Sequence, residues 1–215
     1  GKGHGSQEVN PMRALLWCNG QQPSEHVVQA LLHAGSTVFG VDGGADKAAR
    51  AGIAVEEVLG DLDSVELGQW EGRTHELPDD SSSDLAKSIA LLIERGYADI
   101  DVVGSDGGST GHVLGGWAAL CEAPGGAQIR VHHEDSITHR IHPQDGGTEF
   151  DIAEGQEFSV FALSPCRGVH LQGAVWNLDG VPLGLSTRGL HNRGTGEVVR
   201  ISADGILAVI IPRRK

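Results

Sequence analysis

Gly60-Asp61-Leu62-Asp63-Ser64 sets two carboxylates one residue apart, directly after the apolar pair Val58-Leu59. At the end of a buried strand such a pair repels itself unless a cation sits between its members. Mg²⁺ takes oxygen ligands, usually one or two protein carboxylates together with substrate phosphates. Asp61 and Asp63 therefore point to a metal-bound phosphate substrate. Asp and Ser are also ordinary loop and cap residues, and for the motif alone that alternative stays open. Three more polar clusters fall where an apolar run stops: Asn19-Gly20, Asp42-Gly43-Gly44 and Gly104-x-x-Gly107-Gly108. Glycines there let backbone N–H groups approach phosphate oxygens, and the following helix N-termini add positive potential. Four such clusters on one sheet edge point to a phosphorylated ligand lying along it.

The elements that must hold these clusters follow from the pattern. Ala14 to Cys18, Thr37 to Val41, the run ending at Leu59, and Ile100 to Val103 read as buried strands. Between them lie stretches of helical period: Val27, Val28, Leu31 and Leu32 behind a Ser24 cap and closed by Gly35, an Ala-rich helix running to Gly52, Leu85 to Ile93 closed by Gly96, and about His112 to Cys121. Strand–helix alternation predicts an α/β fold with a mainly parallel, Rossmann-like sheet and helices on both faces, over residues 11–135. After Pro124-Gly125-Gly126 the character changes. Short β-type runs recur at Glu149–Ile152, Glu157–Ala162, Val169–Leu171, Val198–Ile201 and Ile206–Ile211, separated by Asp-Gly turns. Residues 136–215 are thus expected to form a small antiparallel β-sandwich, with a hairpin about Asp204-Gly205 as its strongest local signal.

Composition narrows the function classes. The chain has 215 residues, 32 of them Gly, only 4% aromatics and a net charge of −13. That charge argues against nucleic acid or an anionic membrane as a partner. Cys18, Cys121 and Cys166 are few and widely spaced, which fits a reducing cytoplasm. The apolar run Ile206–Ile211 is too short to cross a bilayer, and no charged-then-apolar signal opens the chain. No Gly-x-x-x-x-Gly-Lys-Ser/Thr is present, nor a Gly-x-Gly-x-x-Gly after the first strand, so neither a P-loop nor a standard dinucleotide site is expected. His132, His133, His139 and His142 read as exposed or core histidines in preference to a metal cluster, and Trp176 as a core aromatic of the sandwich in preference to a stacking platform.

In chain order, Asn19-Gly20, Asp42-Gly43-Gly44-Ala45, Gly60-Asp61-Leu62-Asp63-Ser64, the Asp79–Lys87 segment, Gly107-Gly108-x-x-x-His112 and Trp176-Asn177-Leu178 resemble the thiamin pyrophosphokinase (thiamine diphosphokinase) family over nearly all of the chain after Met12. The resemblance implies a cytoplasmic homodimer that transfers diphosphate from ATP, with Mg²⁺, to the hydroxyl of thiamin, releasing AMP. It makes 11–135 the nucleotide-binding catalytic domain and 136–215 a contributor to the acceptor site and the dimer. Asp42, Asp61 and Asp63 would be the catalytic acids, with Asp61 and Asp63 on the metal. Asn19, Gly20, Gly43, Gly44, Ser64, Asp84, Lys87, Gly107, Gly108, His112 and Asn192 would line the substrates.

Three segments depart from the family pattern. Ser81 stands where the first Asp of Asp-x-Thr-Asp-x-x-Lys belongs, leaving Asp79 or Asp80 as substitutes. Ser109 and Gly111 replace the Arg and Asp of Gly-Gly-Arg-x-Asp-His. The Ser-Asn-Glu near the C-terminus reads His191-Asn192-Arg193, and Arg188 and Arg193 add positive charge. Two alternatives follow: a family member acting on another alcohol, or a non-catalytic homologue that binds nucleotide or thiamin phosphate.

Overall fold

The computed structural model describes residues 12–62 and 65–214. Asp63 and Ser64 lie outside the described residues. The first half runs β1 (Arg13–Trp17), α1 (Glu25–His33), β2 (Thr37–Val41), α2 (Gly44–Arg50), β3 (Glu57–Gly60), β4 (Thr74–Glu76), α3 (Asp84–Glu94), β5 (Asp99–Val103), α4 (Thr110–Glu122) and β6 (Gln128–His132). The second half is all strand apart from single 3₁₀ turns: β7 (Ser136–Ile141), β8 (Thr148–Asp151), β9 (Glu157–Ala162), β10 (Cys166–Gln172), β11 (Leu178–Leu183), β12 (Asn192–Arg193), β13 (Val198–Ala203) and β14 (Leu207–Pro212).

The helix starts follow their caps. Ser24 Oγ accepts from Val27 N at 3.3 Å and Ser83 Oγ from Ala86 N at 3.2 Å, each satisfying an amide that the helix cannot. Alternate residues of the strands serve opposite faces. Leu16, Phe39 and Leu59 pack under Ile89 and Leu92 of α3 and Leu120 of α4. Leu15, Trp17 and Val38 pack under Val27, Val28 and Leu31 of α1 and Ala45 and Ala48 of α2. The sheet is therefore covered on both faces, as the near-continuous apolar strands require.

Among the described residues one sheet has ten strands, in the order β12-β9-β14-β7-β6-β5-β1-β2-β3-β4. Pairing is parallel from β6 to β4 and antiparallel from β6 outwards to β12. A second sheet, β11-β10-β13-β8, is antiparallel throughout. Phe158, Val160, Leu207 and Val209 of the long sheet share a core with Val169, Leu171, Val199 and Ile201 of the short one. One layer of the β-sandwich is thus an extension of the α/β sheet itself.

Two expectations fail here. Asp204-Gly205 does not close a hairpin: β13 pairs with β10 and β8, while β14 pairs with β7 and β9. The turn carries the chain between sheets, and the Asp204 carboxylate holds it by accepting from Arg167 N at 2.8 Å and Gly168 N at 3.1 Å. Trp176 is not a core residue, being 59% exposed.

A charged cluster lies on the sheet beside these layers. Asp101, with no solvent contact, accepts from Arg130 Nε at 2.8 Å and pairs with His132 Nε2 at 2.7 Å. Burial opposes its charge, yet the bonds from His132 and Arg130 outweigh that and hold the carboxyl at about 2. Nearby His139 packs edge-on to Phe150, and burial, aided by the Arg130 and His132 charges, drops it from 6.5 to about 4. A depressed histidine gives stability that is whole above its unfolded value and is lost as pH falls through the folded one. Unfolding free energy is accordingly expected to fall by about 2 kcal/mol between pH 6.5 and 4, after discounting for residual solvent contact. Urea titrations across that window should show His139→Gln removing most of the slope.

Candidate functional site

The chain leaves β1 towards β2 and later returns on the other side of β1 as β5, which opens a crevice beyond the carboxyl ends of these strands. A cleft of about 490 Å³ lies there, lined by Cys18 and Asn19 after β1, Asp42 after β2, Ser105 after β5, the cap Ser83 and first residue Asp84 of α3, and Gly111 and His112 of α4. One carboxylate oxygen from each of Asp42, Asp61 and Asp84 lies within 4.8 Å of the other two.

Local backbone geometry aims each acid. Asp42 sits in the left-handed region, φ 49°, with its N–H donating to Leu59 O at 2.7 Å. Asp is one of the few residues to visit that region, and strain of this kind concentrates at sites of function. Asp61 lies between Gly60, whose φ of 132° suits a residue without a Cβ, and Leu62, φ 68°, where the backbone after β3 is strained. A Cβ on Gly60 would lie 3.2 Å from Asp84 Oδ2, so a glycine there admits the third carboxylate. Asp84 is the first residue of α3, where the helix dipole favours an anion. Its carboxyl nonetheless titrates above the ordinary value, because burial and then the Asp61 charge outweigh the hydrogen bond and charge of Lys87.

Lys87 is committed within the protein: Nζ donates to Leu77 O at 2.7 Å and Asp79 O at 2.6 Å and lies 3.3 Å from Asp84 Oδ1. It staples the segment before α3 to that helix and offsets one of the three negative charges. Asp79 turns its own carboxylate onto Ser81 N at 2.9 Å, and neither Asp79 nor Asp80 belongs to the acidic group.

The glycine-rich turns meet backbone to backbone. Gly20 N donates to Gly104 O at 2.7 Å and Gln21 N to Asp106 O at 2.8 Å. A Cβ on Gly20 would come within 2.4 Å of Gly104 O. Lys47 of α2 reaches across to Asn19 O at 2.9 Å and Gly20 O at 2.7 Å, a tie that nothing in the Asp-Gly-Gly motif announces. Gly44 owes its identity to packing: a Cβ there would lie 2.0 Å from Trp17 O. Gly43 precedes it as the first residue outside α2. Gly107 and Gly108 both take positive φ, at 80° and 83°, and lead into α4, where Ser109 Oγ caps His112 N at 3.2 Å. Ser109 therefore has a helix-starting role in place of a cationic one, and Gly111 leaves open space above the first turn of α4. Cys18 lines the cleft, but burial pushes its thiol up to about 12 and keeps it protonated.

Asn192 is not brought to the acids. Its Oδ1 accepts from Trp176 N at 3.2 Å and Arg193 N at 2.8 Å, and its Nδ2 donates to Trp176 O at 2.8 Å. It fixes the loop that displays Trp176. The third clustered acid, Asp84, was legible only as part of an Asp-x-x-Lys spacing, since three residues separate such partners on one helix face.

Residues 28–131 match the family model described as "Thiamin pyrophosphokinase, catalytic domain". Solved structures share the fold over almost the whole chain. A Lactobacillus plantarum protein is 21% identical with a TM-score of 0.74, covering 96% of this chain and 100% of its own. Thiamine pyrophosphokinase from Bacillus subtilis is 20% identical with a TM-score of 0.66, covering 94% and 100%. Thiamin pyrophosphokinase from Candida albicans is 13% identical with a TM-score of 0.71, covering 94% and 90%. No match is found among curated proteins.

Proposed function

From the premise that this chain belongs, through residues 28–131, to the thiamin pyrophosphokinase family, we propose that it transfers a diphosphate group from ATP to the hydroxyl of thiamin, giving thiamin diphosphate and AMP. The observation that carries the reading is the convergence of Asp42, Asp61 and Asp84 at the sheet's switch point. Three carboxylates this close, one of them titrating high, fit a hard divalent cation with oxygen ligands. Asp42, Asp61 and Asp84 would hold Mg²⁺, with Asp63 as a further ligand. Bound there, the ion would supply neutralisation of polyphosphate charge. The chain's own residues do the positioning: Lys47 fixes the Asn19-Gly20 turn, Ser109 starts α4 behind Gly107-Gly108, and α3 presents Asp84. In phosphoryl-type transfer such positioning accounts for most of the catalysis.

A homodimer is part of the proposal. β12 stands seven strands from β2 in the long sheet, which puts Asn192 and the Trp176 loop roughly 30 Å from Asp42 within one chain. Trp176 can serve an acceptor at the acidic cleft only if it comes from a second copy. Among the described residues no helix is long and apolar enough to cross a membrane, and a cytoplasmic location belongs to the same reading.

Incubation with ATP, Mg²⁺ and thiamin is expected to yield AMP and thiamin diphosphate one for one, and chelation of the metal to stop it. AMP formed only with another hydroxymethyl compound would favour the altered acceptor that Ser109 and the open space at Gly111 allow. Absence of AMP with every alcohol tried, at high protein concentration, would leave a binding homologue in its place.

A further inference from the structure

We propose that His133 is a positioning residue that latches the glycine-rich loop 104–108 against the Asn19–Gln21 turn. Immediately after β6, its Nδ1 lies 2.6 Å from Asp106 Oδ1 and its Nε2 lies 2.8 Å from Thr138 Oγ1. A carboxylate only accepts, so Nδ1 carries the hydrogen that reaches Asp106. The buried Thr138 hydroxyl fixes the other edge of the ring, and the indole of Trp117 stacks on its face at 5.8 Å and 27°. The backbone is held as firmly: His133 N donates to Ser136 O at 2.9 Å, and Arg213 Nε, from beyond β14, donates to His133 O at 3.0 Å.

Through Asp106 this anchored ring reaches the cleft. Asp106 O accepts from Gln21 N, and the same loop offers Gly104 O to Gly20 N. Gly20 packs so tightly that a Cβ would meet both carbonyl oxygens within 2.5 Å. Gly107 and Gly108 follow directly, and their backbone sets the start of α4. Release of Asp106 would therefore loosen the β1 and β5 turns together, beside the cleft that Asp84 of α3 lines from the other side. The latch stands on these hydrogen bonds alone, whereas its effect on turnover rests on the diphosphate-transfer reading.

His133→Phe keeps the ring against Trp117 and removes the donor to Asp106, His133→Asn restores a donor near the Nδ1 position, and Thr138→Val removes only the outer bond. In His133→Phe, amide exchange at Gly20 and Gln21 is expected to accelerate about tenfold or more with the β1 amides unchanged, and His133→Asn to restore most of the protection. In the turnover assay the KM for ATP should rise about tenfold with kcat within about threefold of the unsubstituted protein. Unchanged exchange at Gly20 and Gln21 overturns the latch, as does equal acceleration along all of β1. Faster exchange with an unaltered KM overturns its link to the substrate. A protein inert with thiamin still reports on the latch through exchange, so failure of the two readings is told apart.

Discussion

Asp61→Asn and Asp84→Asn are each expected to lower kcat/KM for thiamin diphosphate formation about 10²–10³-fold, with secondary structure unchanged by circular dichroism. Both substitutions keep size and shape and remove one negative charge from a group whose oxygens lie within 4.8 Å of one another. The Asp84 variant also separates function from stability. Its carboxyl titrates above the ordinary value in the folded chain, from burial first and the Asp61 charge after it. Such a group contributes stability that is fully present below its unfolded-state value and is lost as pH rises through the folded one. At neutral pH the charged Asp84 is therefore a cost to the metal-free protein. Asp84→Asn should raise the metal-free Tm by about 2 °C and abolish any rise on adding Mg²⁺. A Tm that climbs with Mg²⁺ equally in the variant and the parent would remove Asp84 from the metal site, and unimpaired turnover by Asp61→Asn would remove the acids from the chemistry.

What the sequence displayed, and what it hid, divides along the physics of each element. Strands buried on both faces, such as Ala14 to Trp17, are apolar without interruption, and helices such as Asp84–Glu94 carry a cap, a period and a stop. β7 is hard to read because four of the six residues in Ser-Ile-Thr-His-Arg-Ile are polar. Its polar side chains find partners once the chain folds: Thr138 with His133 just before the strand, and Arg140 donating to Ala123 O at 2.6 Å at the end of α4. β4, at the far edge of the long sheet, is three residues long and largely polar. The hairpin expected at Asp204-Gly205 failed because a turn dipeptide fixes local chirality and says nothing about which sheet receives the next strand. In the site, the polar clusters at strand ends were legible one by one. Their convergence was not: the approach of Asp84 to Asp61 depends on Gly60 yielding space to a helix more than twenty residues away in the chain.

Gly44→Ala is expected to destabilise the protein by about 3 kcal/mol, with the urea midpoint falling and the slope of the transition unchanged. The Asp-Gly-Gly motif invites the view that its glycines admit phosphate, which would make the substitution costly to turnover and cheap to the fold. The packing argues otherwise at Gly44. A Cβ there would lie 2.0 Å from Trp17 O, 2.7 Å from the Cys18 carbonyl carbon and 2.8 Å from that of Trp17. All three atoms are backbone of a central strand and its end, so no rotamer change relieves the clash. α2 must move off β1, and with it Lys47, which then loses Asn19 O and Gly20 O. Turnover should fall as a consequence of that movement. Gly111→Ala supplies the contrast within the same molecule. Gly111 lies in the first turn of α4 with nothing within 4 Å of an added Cβ and no positive φ. There the gain in helix propensity stands unopposed, and a stabilisation of about 0.5–1 kcal/mol is expected. Equal and small effects at both positions would mean that α2 is not wedged against β1 as its glycine implies.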